Sequence, residues 1–217
     1  MSIEIKKRII TSFFLLFGVF LMIFSNFFCL FALLVISMFG FIEFSFLMSK
    51  IVLKNRLLKL LFNLSFIFYI SFYSLIFFII SLLGPAKILI YLCLLICIAS
   101  DIGGLIFGKL IKGPKLTRLS PQKTVAGSLG SFLLSIVTAL TFKLFFPFSI
   151  SSLSLILLGS VVSFGCQVGD IFFSFLKRKA KVKDTGKFLP GHGGILDRID
   201  SILVGLPFGI IISFYLN

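Results

Sequence analysis

The chain has 217 residues, of which 59% are hydrophobic and only 13% charged, with a formal net charge of +14 and a mean hydropathy of +1.20. That balance excludes an ordinary soluble domain. The apolar residues lie in continuous, non-alternating runs of about 16 to 25 residues, the length that crosses a bilayer as helix, which excludes the strands of a membrane barrel. The fold class expected is an all-α polytopic membrane protein of about seven transmembrane helices with a cytoplasmic N-terminus.

In chain order the spans are expected at about 9–25, 27–48, 60–83, 86–107, 125–147, 152–176 and 199–216. Lys6-Lys7-Arg8 before the first run superficially resembles a signal peptide. No small-residue cleavage site follows, so an uncleaved first helix is expected. Ser25-Asn26 reads as a tight turn between the first two spans, Gly84-Pro85 separates the third from the fourth, and Pro147 ends the fifth. The domain organisation expected is a three-helix membrane region over 1–83 and a catalytic membrane region over 84–217, with cytoplasmic loops 108–124 and 177–198. No internal repeat supports a transporter built from inverted halves.

Charge tests this topology. With the N-terminus inside, the inner segments 1–8, 49–59, 108–124 and 177–198 carry 19 of the 21 lysines and arginines. The positive-inside rule then fixes the orientation, and the net charge needs no nucleic acid to explain it. The acids follow: Glu43, Asp101 and Asp170 lie within spans near their inner ends, and Asp184, Asp197 and Asp200 lie on or beside the last inner loop. An acid at the bilayer centre costs about 2.5–3.5 kcal/mol on insertion scales, so each needs a partner, a cavity or a metal. A polar site at the cytoplasmic membrane face is expected. Cys29, Cys93, Cys97 and Cys166 all fall in apolar runs, without a second ligand pair, and read as small buried side chains.

The residues that carry chemistry concentrate between Gln167 and Ser201, which holds four of the seven acids, seven basic residues and the only histidine. Asp170 and Asp197 flank the last inner loop. Hard cations such as Mg²⁺ take carboxylate oxygens and share their sphere with phosphate; ion pairing with a neighbour such as Arg198 is the alternative. Lys177, Arg178, Lys179, Lys181 and Lys183 read as a positive-inside signal that also attracts anionic lipid, a reading that holds for Lys179 and Lys181. Pro190-Gly191-His192-Gly193-Gly194 is a turn whose amides suit an anion nest or a re-entry before the last helix, and His192 suits a proton transfer or a turn-orienting hydrogen bond. Upstream, Gly103 to Lys109 has P-loop spacing, but Leu110 stands where a hydroxyl would meet the metal and no strand precedes it, so that reading is rejected. Gly104-xxx-Gly108 and Gly165-xxx-Gly169 read as helix-packing contacts. Ser120-Pro121-x-Lys123-Thr124 offers hydroxyls, a cation and a rigid turn.

These elements in this order resemble the signature of phosphatidate cytidylyltransferases. Gly169-Asp170, Ser174, Lys177-Arg178, Lys183-Asp184, Gly186, Pro190 to Gly194, Asp197-Arg198, Asp200 and Ser201 match its C-terminal part. Asp101, Gly103, Ser120, Pro121, Lys123 and Thr124 are similar to its upstream Asp-x-Gly and Ser-Pro-x-Lys-Thr elements. The resemblance covers roughly the last 120 residues. It departs where relatives often carry glutamate and this chain has Phe173 and Ala126, and the chain is shorter than typical members.

The resemblance implies transfer of CMP from CTP to phosphatidic acid, giving CDP-diacylglycerol and pyrophosphate. It implies Mg²⁺, alone or with a second cation, on Asp170 and Asp197, with Lys177 and Arg178 catalytic. Asp101, Ser120, Lys123, Thr124, Ser174, Lys183, Asp184, His192, Gly193, Gly194, Arg198 and Asp200 are the substrate-binding positions expected with it. The partners expected are CTP, phosphatidic acid and membrane lipids, with no nucleic acid, a homodimer left open, in a bacterial cytoplasmic (inner) membrane. Two alternatives stand: a CTP-dependent lipid-alcohol kinase, and an ion-coupled carrier using Glu43, Asp101 and Asp170 as relays. A CDP-alcohol phosphotransferase is excluded because its longer spaced-aspartate motif is absent.

Overall fold

Apolar runs become helices because a backbone in hydrocarbon must satisfy its hydrogen bonds within its own segment. The computed structural model describes residues 3–117, 120, 123–146, 150–186, 188–191 and 193–215, with side chains described from residue 10. The helices are α1 (Ile3–Phe24), α2 (Asn26–Ile51), α3 (Arg56–Leu82), α4 (Gly84–Leu110), α5 (Val125–Phe145), α6 (Ser152–Lys179), α7 (Leu196–Ile199) and α8 (Ile202–Tyr215). Among the described residues six segments are long and apolar enough to cross a membrane, the last being Leu196–Tyr215, and a shorter apolar helix, Ile10–Phe24, precedes them. The protein is therefore an all-α integral membrane protein. Among the described residues the only β pairing is two isolated bridges, Lys115 with Thr124 and Leu189 with Gly193.

Short polar side chains start the helices where the sequence breaks. Ser25 Oγ accepts from Phe28 N at 3.3 Å, Asn55 Oδ1 from Leu58 N at 3.0 Å, and Thr124 Oγ1 from Gly127 N at 3.1 Å. Each satisfies an amide that the first helical turn leaves open. Two boundaries differ from the sequence reading. The third helix ends at Leu82 with Leu83 as its cap, and Gly84-Pro85 form the first turn of α4, where proline's missing N–H costs nothing. The last span is interrupted: α7 and α8 are separated at Asp200-Ser201, where Asp200 Oδ1 accepts from Ser201 N at 3.1 Å. A side chain that bonds the local backbone competes with the helix ladder. Pro147 lies outside the described residues.

The chain divides into two units: residues 1–84 with 176–199, and residues 85–175 with 200–217. In the first, α2 packs chiefly on α3, and also on α1 and α7. Polar pairs join α2 to α3: Ser37 Oγ with Ser74 Oγ at 3.0 Å, and Asn63 Nδ2 donating to Ser45 Oγ at 3.1 Å. Phe44 stacks on Phe66 with ring centroids 3.9 Å apart.

In the second unit the helices meet through residues with little or no side chain. A Cβ on Gly103 of α4 would stand 2.4 Å from the Gly130 carbonyl oxygen of α5, and one on Gly127 would stand 2.9 Å from the Gly104 carbonyl oxygen. A Cβ on Gly165 would meet Gly205 Cα at 3.0 Å. Both small-xxx-small pairs are thus packing surfaces, as expected. Cys93, Cys97 and Cys166 are buried free thiols seated against Gly205 and Gly209 of α8, the small-side-chain role the sequence assigns them. Polar side chains link the same helices. Ser100 Oγ and Ser163 Oγ are 3.0 Å apart, Ser131 Oγ donates to the Ser100 carbonyl at 2.8 Å, and Ser128 Oγ donates to Gln167 Oε1 at 2.5 Å.

Gly103→Ala should force α4 and α5 apart, an overpacking that costs about 1–3 kcal/mol. It should lower the thermal midpoint of the detergent-solubilised protein clearly. Gly18→Ala, whose Cβ would meet nothing within 4 Å, should leave that midpoint unchanged or slightly raised.

Candidate active site

The acids inside apolar segments each find partners within their own unit. Glu43, on α2, is 5% exposed, and its carboxylate collects three donors. Oε2 accepts from Thr185 Oγ1 at 2.7 Å and from Leu196 N at 2.8 Å, and Oε1 accepts from Ile195 N at 3.0 Å. Hydrogen bonds to a charged group contribute about 1.5–3 kcal/mol each, enough together to offset the burial of one carboxylate. The loop approaches so closely that it needs glycine. A Cβ on Gly186 would stand 2.3 Å from Glu43 Oε1, and one on Gly194 would stand 2.3 Å from Glu43 Oε2 and from Thr185 Oγ1.

Asp197, on α7, holds the same loop from its other side. Its Oδ2 accepts from Thr185 N at 2.8 Å and from Gly194 N at 3.0 Å, while Oδ1 pairs with Lys177 Nζ at 3.0 Å. Its ionic partner is Lys177 on α6, 20 residues upstream, which is the pairing with a nearby cation that stood as the alternative to a metal. Thr185 therefore joins the two carboxylates, with its hydroxyl on Glu43 and its amide on Asp197. The Leu189–Gly193 bridge closes the turn, with Gly191 and Gly193 at φ +78° and +83°, the left-handed region that glycine enters freely. Thr11 Oγ1 donates to the Pro190 carbonyl at 2.9 Å, and the Phe39 and Phe188 rings lie 3.9 Å apart, tying the turn to α1 and α2. His192 lies outside the described residues. Arg178, Lys183, Asp184 and Arg198 are exposed.

The second unit holds a separate polar centre. Lys123 Nζ forms an ion pair with Asp170 Oδ2, and Ser201 Oγ donates to Asp101 Oδ2 at 2.7 Å. Asp101 stands within electrostatic reach of Asp170, Asp200 and Lys123. A Cβ on Gly169 would meet the Asp200 carbonyl oxygen at 2.5 Å, so the glycine before Asp170 is a close-approach residue. Around Lys123 the loop folds on itself: Leu116 N donates to the Lys123 carbonyl at 2.7 Å, and Lys123 N to the Ser120 carbonyl at 3.0 Å. Thr124 is occupied in capping α5, and Pro121 lies outside the described residues. Ser174 is half-buried on α6, while Phe173 is buried at 3% exposure.

Asp170 and Asp197, paired in the sequence reading, thus fall in different units and have different surroundings. The Asp197 side chain is 6% exposed and the Asp170 side chain 27%, with Lys123 at 28%. Asp170 and Lys123 are open to a polar ligand; Asp197 is nearly sealed by its own loop. Sequence reasoning missed Glu43 and Thr185 as members of this constellation. The one signal for Glu43 was an acid within an apolar run; Thr185 gave none.

Residues 44–216 match the cytidylyltransferase family. The chain belongs to that family. The match extends upstream of the last 120 residues, into α2 and α3. Among curated proteins, the chain is similar to phosphatidate cytidylyltransferases of Staphylococcus saprophyticus (42% identical over 109 residues), Bacillus subtilis (42% over 119) and Rickettsia prowazekii (34% over 136). The alignments take in 50%, 54% and 59% of this chain and 42%, 44% and 59% of those proteins, respectively. The chain thus matches well under two thirds of each relative's length.

Gly194→Ala should push Glu43 and Thr185 off the loop, at a cost of about 1–3 kcal/mol from overpacking and lost hydrogen bonds. Limited trypsin digestion should then cut between Lys183 and Arg198 faster than in the unaltered protein.

Proposed function

We propose that this membrane cytidylyltransferase is a phosphatidate cytidylyltransferase, moving CMP from CTP to phosphatidic acid in phospholipid synthesis at a bacterial inner membrane. The observation that carries the reading is the Lys123–Asp170 ion pair. It joins the Ser-Pro-x-Lys-Thr and Gly-Asp elements, 47 residues apart in sequence, at one solvent-accessible point. Similar proteins named for this activity support the same reading.

In the reaction a phosphate oxygen of phosphatidic acid forms a bond to the α-phosphorus of CTP, the bond from that phosphorus to the bridging oxygen breaks, and pyrophosphate leaves. The nucleophile is already anionic near neutral pH, so no dedicated base is required. Two polyanions must instead be brought together, which calls for preorganised positive charge. Lys123 supplies one ammonium beside Asp170, while Arg178 and Lys183 are exposed and available to phosphate. Arginine's fork suits bidentate contact. Lys177 is engaged with Asp197, so its part is to hold that carboxylate.

The donor chemistry fits Mg²⁺. Asp101 and Asp170 are hard oxygen ligands within electrostatic reach of each other, and Lys123 pairs with Asp170. Asp170, with Asp101 nearby, would hold the ion, which would supply screening of phosphate charge. Asp197 already accepts two amides and one ammonium, so its first task is to shape the last loop.

The carrier alternative loses ground because Glu43, one of its three relays, is enclosed by three donors from a single loop. Product analysis separates the remaining alternative, since a lipid-alcohol kinase would release CDP.

Purified protein with Mg²⁺, phosphatidic acid and CTP labelled at the α-phosphate should give labelled lipid and pyrophosphate, both abolished by chelation. Asp170→Asn should lower turnover by at least about 100-fold while the protein remains inserted and folded. Full activity in that variant would sink the role given to Asp170.

A further inference from the structure

Glu43 is a buried ionisable group that the transfer of CMP does not use, and it stands one residue ahead of the family match at 44–216. Its three donors all come from the segment that also feeds Asp197: the Thr185 hydroxyl and the amides of Ile195 and Leu196. Thr185 donates its amide to Asp197 Oδ2 while its hydroxyl is on Glu43, and Gly194, beside Ile195, donates the second amide to the same oxygen. With Oδ2 turned toward these amides, Oδ1 is left facing Lys177. The orientation of the Asp197 carboxylate therefore depends on where the loop is held, and the buried charge holding it is Glu43. Gly186 and Gly194 leave no room for a side chain between loop and carboxylate, so the seat admits little slack.

We propose that Glu43 is a positioning residue, which acts through Thr185 and the amides of Ile195 and Leu196 to aim the carboxylate of Asp197 and the ammonium paired with it. The inference rests on the cytidyl-transfer reading, in which the loop that Asp197 shapes carries Lys183, an exposed cation available to phosphate. It adds a residue to which no signature element extends.

The test uses the full chain in phospholipid nanodiscs, with α-labelled CTP and dioleoyl phosphatidic acid. Glu43→Gln and Thr185→Val should each lower kcat by about 10- to 100-fold, as expected for a misplaced catalytic group. KM for either substrate should stay within about threefold. Thr185→Ser, which keeps the hydroxyl, should recover most of what Thr185→Val loses. The double variant should be no worse than Glu43→Gln alone, because both cut one connection. A merely structural role would reduce the folded fraction and leave the kcat of the folded remainder unchanged.

An unaltered kcat in folded Glu43→Gln, or losses that multiply in the double variant, would overturn the proposal. Should Glu43→Gln show no cooperative thermal transition, the Thr185→Val and Thr185→Ser pair decides it by the same kcat criterion. Should the unaltered protein make no CDP-diacylglycerol, the cytidyl-transfer reading falls instead. Hydrogen exchange at the Thr185 and Gly194 amides then decides the positioning claim: faster exchange in Glu43→Gln upholds it, and unchanged exchange refutes it.

Discussion

A carboxylate buried among apolar helices must be given donors, and in this chain that requirement organises the loop around it. Glu43 lies on a helix otherwise suited to hydrocarbon, where an unpaired acid costs several kcal/mol. Its partners among the described residues are one hydroxyl and two backbone amides from residues 142 to 153 positions later. Backbone amides are poor substitutes for bulk water unless several converge, and convergence fixes geometry. Neutralising one costly charge thus gives a long polar loop a defined shape. The two close-approach glycines and the short α7 follow from that shape.

The same economy governs the helices of the second unit. Large apolar side chains such as Leu129, Phe164 and Phe214 are exposed, while the buried faces set serine, glycine and cysteine among apolar residues such as Leu92, Ile96, Leu155 and Leu158. Where lipid is as apolar as leucine, burying leucine brings no gain; close backbone approach and interhelical hydrogen bonds do. That explains why Gly103 and Gly169, both within signature elements, are explained by packing without reference to a ligand. It also separates residues that shape the site from those that face a substrate. Gly103, Thr124 and Gly169 are committed to backbone and packing, whereas Asp170 and Lys123 remain accessible.

Helices were legible because continuous apolar runs admit no other backbone, and polar residues at Ser25, Asn55 and Thr124 marked where they begin. The break at Asp200-Ser201 was not, since a serine and an aspartate at the edge of an apolar run read equally well as its first turn. Asp170, Asp197 and the glycine turn stood out as a dense polar island. The link between Asp170 and Lys123 did not, because lysine on an inner loop is explained by topology alone. Glu43 was visible as an expensive charge, yet its partners were hidden: amides carry no sequence signature, and Thr185 looks like any loop threonine.

The two signature aspartates illustrate how one residue type takes two tasks from its surroundings. Asp197 has amides on one oxygen, an ammonium on the other and little exposure, so its charge is spent within the protein. Asp170 has one ammonium and an open approach. In the proposed reaction an arriving polyphosphate competes with Asp170 for Lys123, and a carboxylate that loses its ammonium becomes a better ligand for a hard cation. Phosphate and cation would then favour each other's binding at this point, since each relieves the charge the other leaves uncompensated. Asp197 has no such exchange to offer while Lys177 and two amides hold it. Its contribution is a fixed loop, because a carboxylate held on both oxygens cannot turn without releasing the Thr185 and Gly194 amides.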